Sequence, residues 1–318
     1  MRAALKSAPF LLAIGVLLSG PCAFSGDLSP VELVRRAVQN EVASDQGTGA
    51  HFMFKDEKRT PQLSQIKLVV ETREATAGML LMQNGHPLTQ QERAAEEARL
   101  SAYVKNPQEL RRKRRQEKED ADHTERILRA LPDAFLYQRD GTQDSRQGVG
   151  APGDELVKLN FRPNPNYNPP THVEQVLTGM SGHLLIDTVQ NRIAEIDGTL
   201  QSEVGFGWGI LGHLDPGGRF LVQQADVGDH HWEVTRMELS FTGKVLFVKR
   251  LSIHSSDTFS DFHPVPDNLS FAQGVELLKK EASDQHSVNQ PVEASAPATE
   301  KAQNTPIKDA EKAPCCNP

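Results

Sequence analysis

The spacing of apolar residues changes period several times along this chain, and each change marks a new element. Val31, Val34, Val38 and Val42 recur at helical spacing behind Ser29-Pro30-Val31-Glu32. Ser29 can cap, Pro30 suits the first helical position and Glu32 completes the box. This predicts an amphipathic helix ending near Ser44 that needs a sheet to lie on. The period then shortens. His51 to Lys58 reads as a strand, and Ile66, Leu68 and Val70 alternate with Lys67, Val69 and Glu71 in a second. Met79 to Gln83 gives a third, ending at Asn84-Gly85, a pair that supplies positive φ at little cost.

Helical spacing returns at Thr89-Gln90-Gln91-Glu92, a second capping box. It opens a charged helical insertion over 89–131, with a break expected near Asn106-Pro107. The basic run Arg111-Arg112-Lys113-Arg114-Arg115 would suggest a nucleic-acid patch in isolation. Glu117, Glu119, Asp120 and Asp122 follow it directly, at spacings that allow i,i+4 pairs on a helix surface. The insertion therefore reads as a solvated helix with apolar residues at its ends: Leu100 and Tyr103, then Ile127, Leu128 and Leu131. Contact with an envelope protein or an anionic lipid surface is the alternative.

From Ala134 to His263 the pattern is β. Strands are expected at Phe135–Gln138, Leu156–Phe161, His183–Thr188, Arg192–Leu200, Arg219–Asp226, Trp232–Phe241 and Lys244–Ile253, with Gly243 turning between the last two. Met237, Leu239 and Phe241 alternate with Glu238, Ser240 and Thr242, the pattern of a sheet with one wet face. Short connections imply an antiparallel meander. A third capping signal, Ser270-Phe271-Ala272-Gln273, starts a last short helix. Beyond Ala282 the residues are too polar to offset the entropy of ordering, so 282–318 reads as a disordered tail.

The first residues carry a different pattern. Arg2 and Lys6 precede the apolar run Phe10 to Leu18, about half the ~20 residues a bilayer crossing needs, and Ala23-Phe24-Ser25 offers small residues for cleavage. This is the form of an export signal over 1–25, cleaved near Ser25, and it places the mature domain, 26–281, in the periplasm. Cys22 follows Gly20-Pro21, which suits a lipid-attachment motif poorly. Cys315 and Cys316 are adjacent and bridge each other only with strain, so apolar burial must hold the fold. A net charge of −7 argues against a nucleic-acid partner.

Reactive constellations are weak. Gly207 to Gly212 spells a literal G-x-G-x-x-G, but a turn follows it where a dinucleotide site needs a helix. His230-His231 cannot place both rings on one side of a strand, and no H-x-H or H-E-x-x-H spacing appears. Thr178-Gly179-Met180-Ser181-Gly182 only approaches a nucleophile elbow. No catalytic residue, metal site or cofactor is therefore assigned. What remains is apolar. Phe206, Trp208, Phe220, Trp232, Phe241 and Phe247 either fill a core or line a cavity for an apolar ligand.

The run Met180-Ser181-Gly182-His183-Leu184-Leu185-Ile186-Asp187-Thr188, followed by Arg192-Ile193-Ala194-Glu195-Ile196, resembles the outer-membrane lipoprotein-sorting proteins of the LolA-like superfamily. Asn84-Gly85-His86-Pro87-Leu88, Phe161-Arg162-Pro163-Asn164-Pro165-Asn166-Tyr167 and Phe206-Gly207-Trp208-Gly209 look like a group of uncharacterised exported acidobacterial proteins. The resemblance implies an α+β fold, a curved antiparallel sheet forming an incomplete β-barrel roofed by helices. Its hollow would receive a lipid, an acyl chain or a lipoprotein terminus. The expected function is a non-catalytic periplasmic carrier. Its rivals are an envelope structural or signalling module docking a protein through the charged helix, and a secreted hydrolase.

Overall fold

The computed structural model describes residues 28–46, 50–206, 212–245 and 249–289. The expected export signal, the chain beyond 289 and most of the Gly205–Gly212 run lie outside the described residues. The longer strands fall where two-residue alternation predicts, and the short ones at His86, Val204 and Gly212 are additions to that expectation. They are β1 His51–Arg59, β2 Ser64–Val70, β3 Ala77–Gln83, β4 His86–Pro87, β5 Phe135–Asp144, β6 Glu155–Pro163, β7 Met180–Asp187 and β8 Arg192–Leu200. Two short strands, β9 Val204–Phe206 and β10 Gly212–Leu214, precede β11 Arg219–Asp226, β12 Trp232–Val245 and β13 Lys249–Val265.

These strands form one curved antiparallel sheet in the order β4-β3-β2-β1-β13-β12-β11-β8-β7-β6-β5, which does not close into a barrel. The pairing of β1 with β13 stitches the first meander to the end of the last one. β10 branches off the path, pairing with β12 and β9. The fold is thus α+β, as the alternation and the resemblance both imply.

Several strand boundaries differ from expectation: β5 runs on to Asp144 and β13 begins at Lys249, and two further differences have a clear cause. Gly243 is not a turn residue. β12 runs through it and pairs Gly243 with Leu251. The glycine is needed because β10 passes close by: a Cβ there would lie 2.1 Å from the His213 carbonyl oxygen. β13 also extends well past Ile253. Its segment Ser255-Ser256-Asp257-Thr258 has no apolar alternation of its own, but β1 and β12 hydrogen-bond it from either side. Tertiary pairing overrides the local pattern there.

Four helices sit on the sheet: α1 Pro30–Gln46, α2 Gln90–Lys105, α3 Pro107–Ala134 and α4 Phe271–Asn289. The start signals act as read. The Ser29 hydroxyl accepts from Glu32 N–H at 3.3 Å, and Thr89 and Glu92 form a reciprocal capping box. At the break, the Asn106 side chain accepts from the N–H groups of Gln108 and Glu109, with Pro107 opening α3. α4 continues past Ala282, further than composition alone suggests, because Phe271, Val275 and Leu278 anchor it.

The helices cover the sheet in two places. α1 and the C-terminal half of α3 lie over β5–β8, burying Val34, Leu131, Leu159, Leu184 and Ile193 in one cluster. α2 and α4 lie over β1–β3 around Leu68, Val70, Met79, Leu100 and Leu278. Between them the inner faces of β11 and β12 are left only partly covered.

Candidate functional site

A cavity of about 1220 Å³ occupies the gap between the helices and the inner face of the sheet. It is larger than the ~300–1,000 Å³ usual for pockets that take drug-sized molecules. Its roof is made by Ile127, Leu128 and Leu131 of α3 and Val42 of α1. These α3 residues are the apolar stripe at the end of the charged insertion. The rest of that helix is bound to solvent by surface pairs such as Lys113–Glu117 and Lys118–Asp122, both at i,i+4. The insertion is therefore two things in sequence: a charged exposed rod and a greasy roof beam.

The floor comes from successive strands. Phe135, Phe161, Met180 and Leu184 contribute from β5–β7, and Ile196, Phe220, Val222, Met237 and Phe241 from β8, β11 and β12. Phe241 packs against Gly218, where a Cβ would sit 2.3 Å from its ring. Met237 and Phe241 are half-buried, because the hollow stands where a second layer would otherwise cover them. Tyr137, also on the floor, donates its hydroxyl to the Leu131 carbonyl at 2.7 Å. Burial pushes its pKa well up, so this phenol stays neutral.

One end of the cavity is polar, and the strand termini explain why. β1, β8 and β12 begin there and β2 ends there, so their flanking residues gather at one rim: His51, Glu71, Arg192, His231 and Trp232. The last turns of α1 reach the same rim. Glu41 accepts from the Ile193 N–H at 2.9 Å and pairs with Arg192 at 2.8 Å, both side chains nine-tenths buried. Arg192 also donates to the Ser44 hydroxyl at 2.7 Å, and its guanidinium lies 5.6 Å from the centre of the Trp232 ring. Asn40 bonds the carbonyls of Gln190 and Asn191 in the β7–β8 turn. α1 is thus clamped to the hairpin that carries Arg192. Beside it, burial raises the Glu71 carboxyl above the usual carboxylate range, with the Phe52 N–H bond and His51 opposing the shift.

Of the sequence-predicted ligand residues, Phe220, Trp232 and Phe241 border the cavity. Trp208, Phe247 and the side chain of Phe206 lie outside the described residues. His230 and His231 both border the cavity, contrary to the expectation for a strand. They lie in a turn before β12, where Asp229 and His230 take left-handed φ values of 52° and 61°, so strand alternation does not apply. Among the described residues no group of three or more His, Cys, Asp or Glu could hold a metal ion.

Sequence reading missed the buried Glu41–Arg192 pair. The signal was present: Glu41 falls beside Val38 and Val42 on the apolar face of its helix, and a carboxylate there needs a partner.

No protein family matches the chain, and no curated protein does. A crystal structure of a DUF1329 family protein from Desulfovibrio piger is similar to 77% of this chain and 97% of its own, at 9% identity and a TM-score of 0.25. At that score the likeness carries no argument about fold or function.

Proposed function

We propose that this protein is a non-catalytic carrier of the cell envelope that shelters an apolar ligand, a lipid or acyl chain, in its open half-barrel. The observation that carries the reading is the large apolar hollow between α3 and the inner faces of β11 and β12. Apolar surface removed from water contributes roughly 25 cal/mol per Å², so a long chain laid along this floor is held without directional bonds. The export-signal pattern of 1–25 supports a periplasmic location. The Gly182–Asp187 and Arg192–Ile196 rhythm supports kinship with the LolA-like carriers, whose cargo would then include lipoprotein acyl chains. Phe220, Trp232 and Phe241 are the proposed ligand contacts, with Phe206, Trp208 and Phe247 in the same role.

Organic extraction of the purified mature protein followed by lipid mass spectrometry tests the proposal. A stoichiometric acyl lipid, or saturable uptake of a fluorescent fatty acid, is the expected result. A protein that carries no lipid and takes up none would overturn it.

A second reading has one observation in its favour. Arg111, Arg112, Arg114 and Arg115 are exposed on α3, ready for an acidic partner or an anionic lipid surface. Replacing Arg111, Arg114 and Arg115 with Glu leaves the roof residues in place. Loss of vesicle or partner binding with lipid uptake intact would support this docking role.

A further inference from the structure

Three buried side-chain nitrogens at the polar rim have no hydrogen-bond partner: His51 Nδ1 and the donors of Arg192 and Trp232. Arg192 and Trp232 are each 8% exposed and each borders the cavity. Arg192 Nη1 and Nη2 are committed to Ser44 and Glu41, but its Nε has no hydrogen-bond acceptor, and neither does Trp232 Nε1. The two groups are neighbours, the guanidinium carbon lying 5.6 Å from the indole ring centre. A buried donor left unsatisfied is costly, and native interiors seldom tolerate one. Two such donors, side by side at one end of an apolar hollow, are complementary to an amphiphile whose head supplies oxygen acceptors and whose chain runs along the floor.

The charges around them decide what kind of head. Glu41 already neutralises Arg192 across 2.8 Å. Arg192 is the one Arg or Lys among the described lining residues, and it stands beside the carboxyl groups of Glu41 and Glu71 at this rim. Bringing a free carboxylate or phosphate into this wall would add a buried negative charge with no further Lys or Arg among the described lining residues to pair with it. An uncharged acceptor meets the same two donors without that penalty. Resting on the carrier reading, we infer that the cavity selects a neutral acyl ester or amide, its carbonyl oxygens received by Arg192 Nε–H and Trp232 Nε1–H, over the corresponding free fatty acid.

The ligand pair 1-decanoylglycerol and decanoate isolates the head group, because the chains are the same. Both are titrated at pH 8 against the full mature protein loaded with the apolar dye N-phenyl-1-naphthylamine. The ester is expected to displace the dye at a concentration about tenfold lower than the acid. Trp232→Phe keeps the ring and removes the donor. It should weaken the ester about fivefold, as loss of one hydrogen bond does, and so narrow the ester-over-acid preference by that factor. Equal displacement by acid and ester, or an unchanged preference in Trp232→Phe, overturns the inference while dye uptake still supports the carrier. Failure to bind dye or either lipid overturns the carrier reading itself.

Should Trp232→Phe misfold, the indole ¹⁵N–¹H resonances of the native protein give the answer. The chain has two tryptophans, assigned through Trp208→Phe. Downfield movement of the Trp232 signal with 1-decanoylglycerol but not with decane is expected. No movement with the ester contradicts the inference.

Discussion

The strands β5–β8 and the strands β11–β12 belong to one sheet and carry similar apolar alternation, yet the helices cover their inner faces to different extents. Under α1 and α3, Leu159 and Ile193 are 0% and 1% exposed. On β12, Met237 and Phe241 remain half-buried and face a hollow. The difference lies in the helices above: α1 lays Leu33, Val34, Ala37 and Val38 over the first group, whereas the end of α3 spans the second only as a beam. An apolar strand face therefore says that something apolar belongs over it, and the architecture decides whether that is the protein itself or a guest.

The seam between the two regions is where the comparison breaks most sharply. Arg192→Met leaves Glu41 buried without its cation, and should cost about 3–5 kcal/mol in urea unfolding, the range for breaking a buried pair. Leu159→Ala, inside the closed region, should cost about 2–5 kcal/mol. Met237→Ala on the open floor should cost under about 1 kcal/mol, while weakening uptake of an apolar dye severalfold. If Met237→Ala destabilises as much as Leu159→Ala, the two regions are alike and the hollow is filled.

The smallest effect concerns Glu71. Its carboxyl is raised by burial in the folded protein, so the native state holds this proton more tightly than the unfolded chain. Stability should then fall as pH climbs from the ordinary glutamate value through the raised one, and the full cost applies above it. Glu71→Gln keeps an oxygen to accept the Phe52 N–H. It should raise Tm by about 2 °C at pH 7.5 and leave it unchanged at pH 4, measured by calorimetry. A gain at pH 4 instead would reverse the assigned sign.

Much of this architecture is legible in the residues. The three capping signals at Ser29, Thr89 and Ser270 mark helix starts because the side-chain geometry that satisfies orphan N–H groups is local. Asn84 and Gly85 mark their turn for the same reason, with φ values of 51° and 80°. What depends on distant partners was not legible. Gly243 looks like a turn residue and is in fact a crossing point for β10. Ser255–Thr258 becomes strand because two neighbours pair with it. The polar rim needed Glu41, His51, Glu71 and Arg192 from four separate segments, and only Glu41 carried a hint, as a charge on an apolar helix face. Phe220, Trp232 and Phe241 border the cavity, and their place there was legible because large apolar groups on a thinly covered sheet are conspicuous.

Covalent mapping with a photoactivatable decanoyl glyceride tests the central claim most directly. Crosslinks are expected to the α3 roof at Ile127 or Leu128 and to the opposing floor at Phe220, Met237 or Phe241, abolished by excess unlabelled 1-decanoylglycerol. Crosslinks confined to the outer surface, such as the exposed arginines of α3, or labelling that excess ligand does not suppress, would contradict a sheltered cargo between helix and sheet.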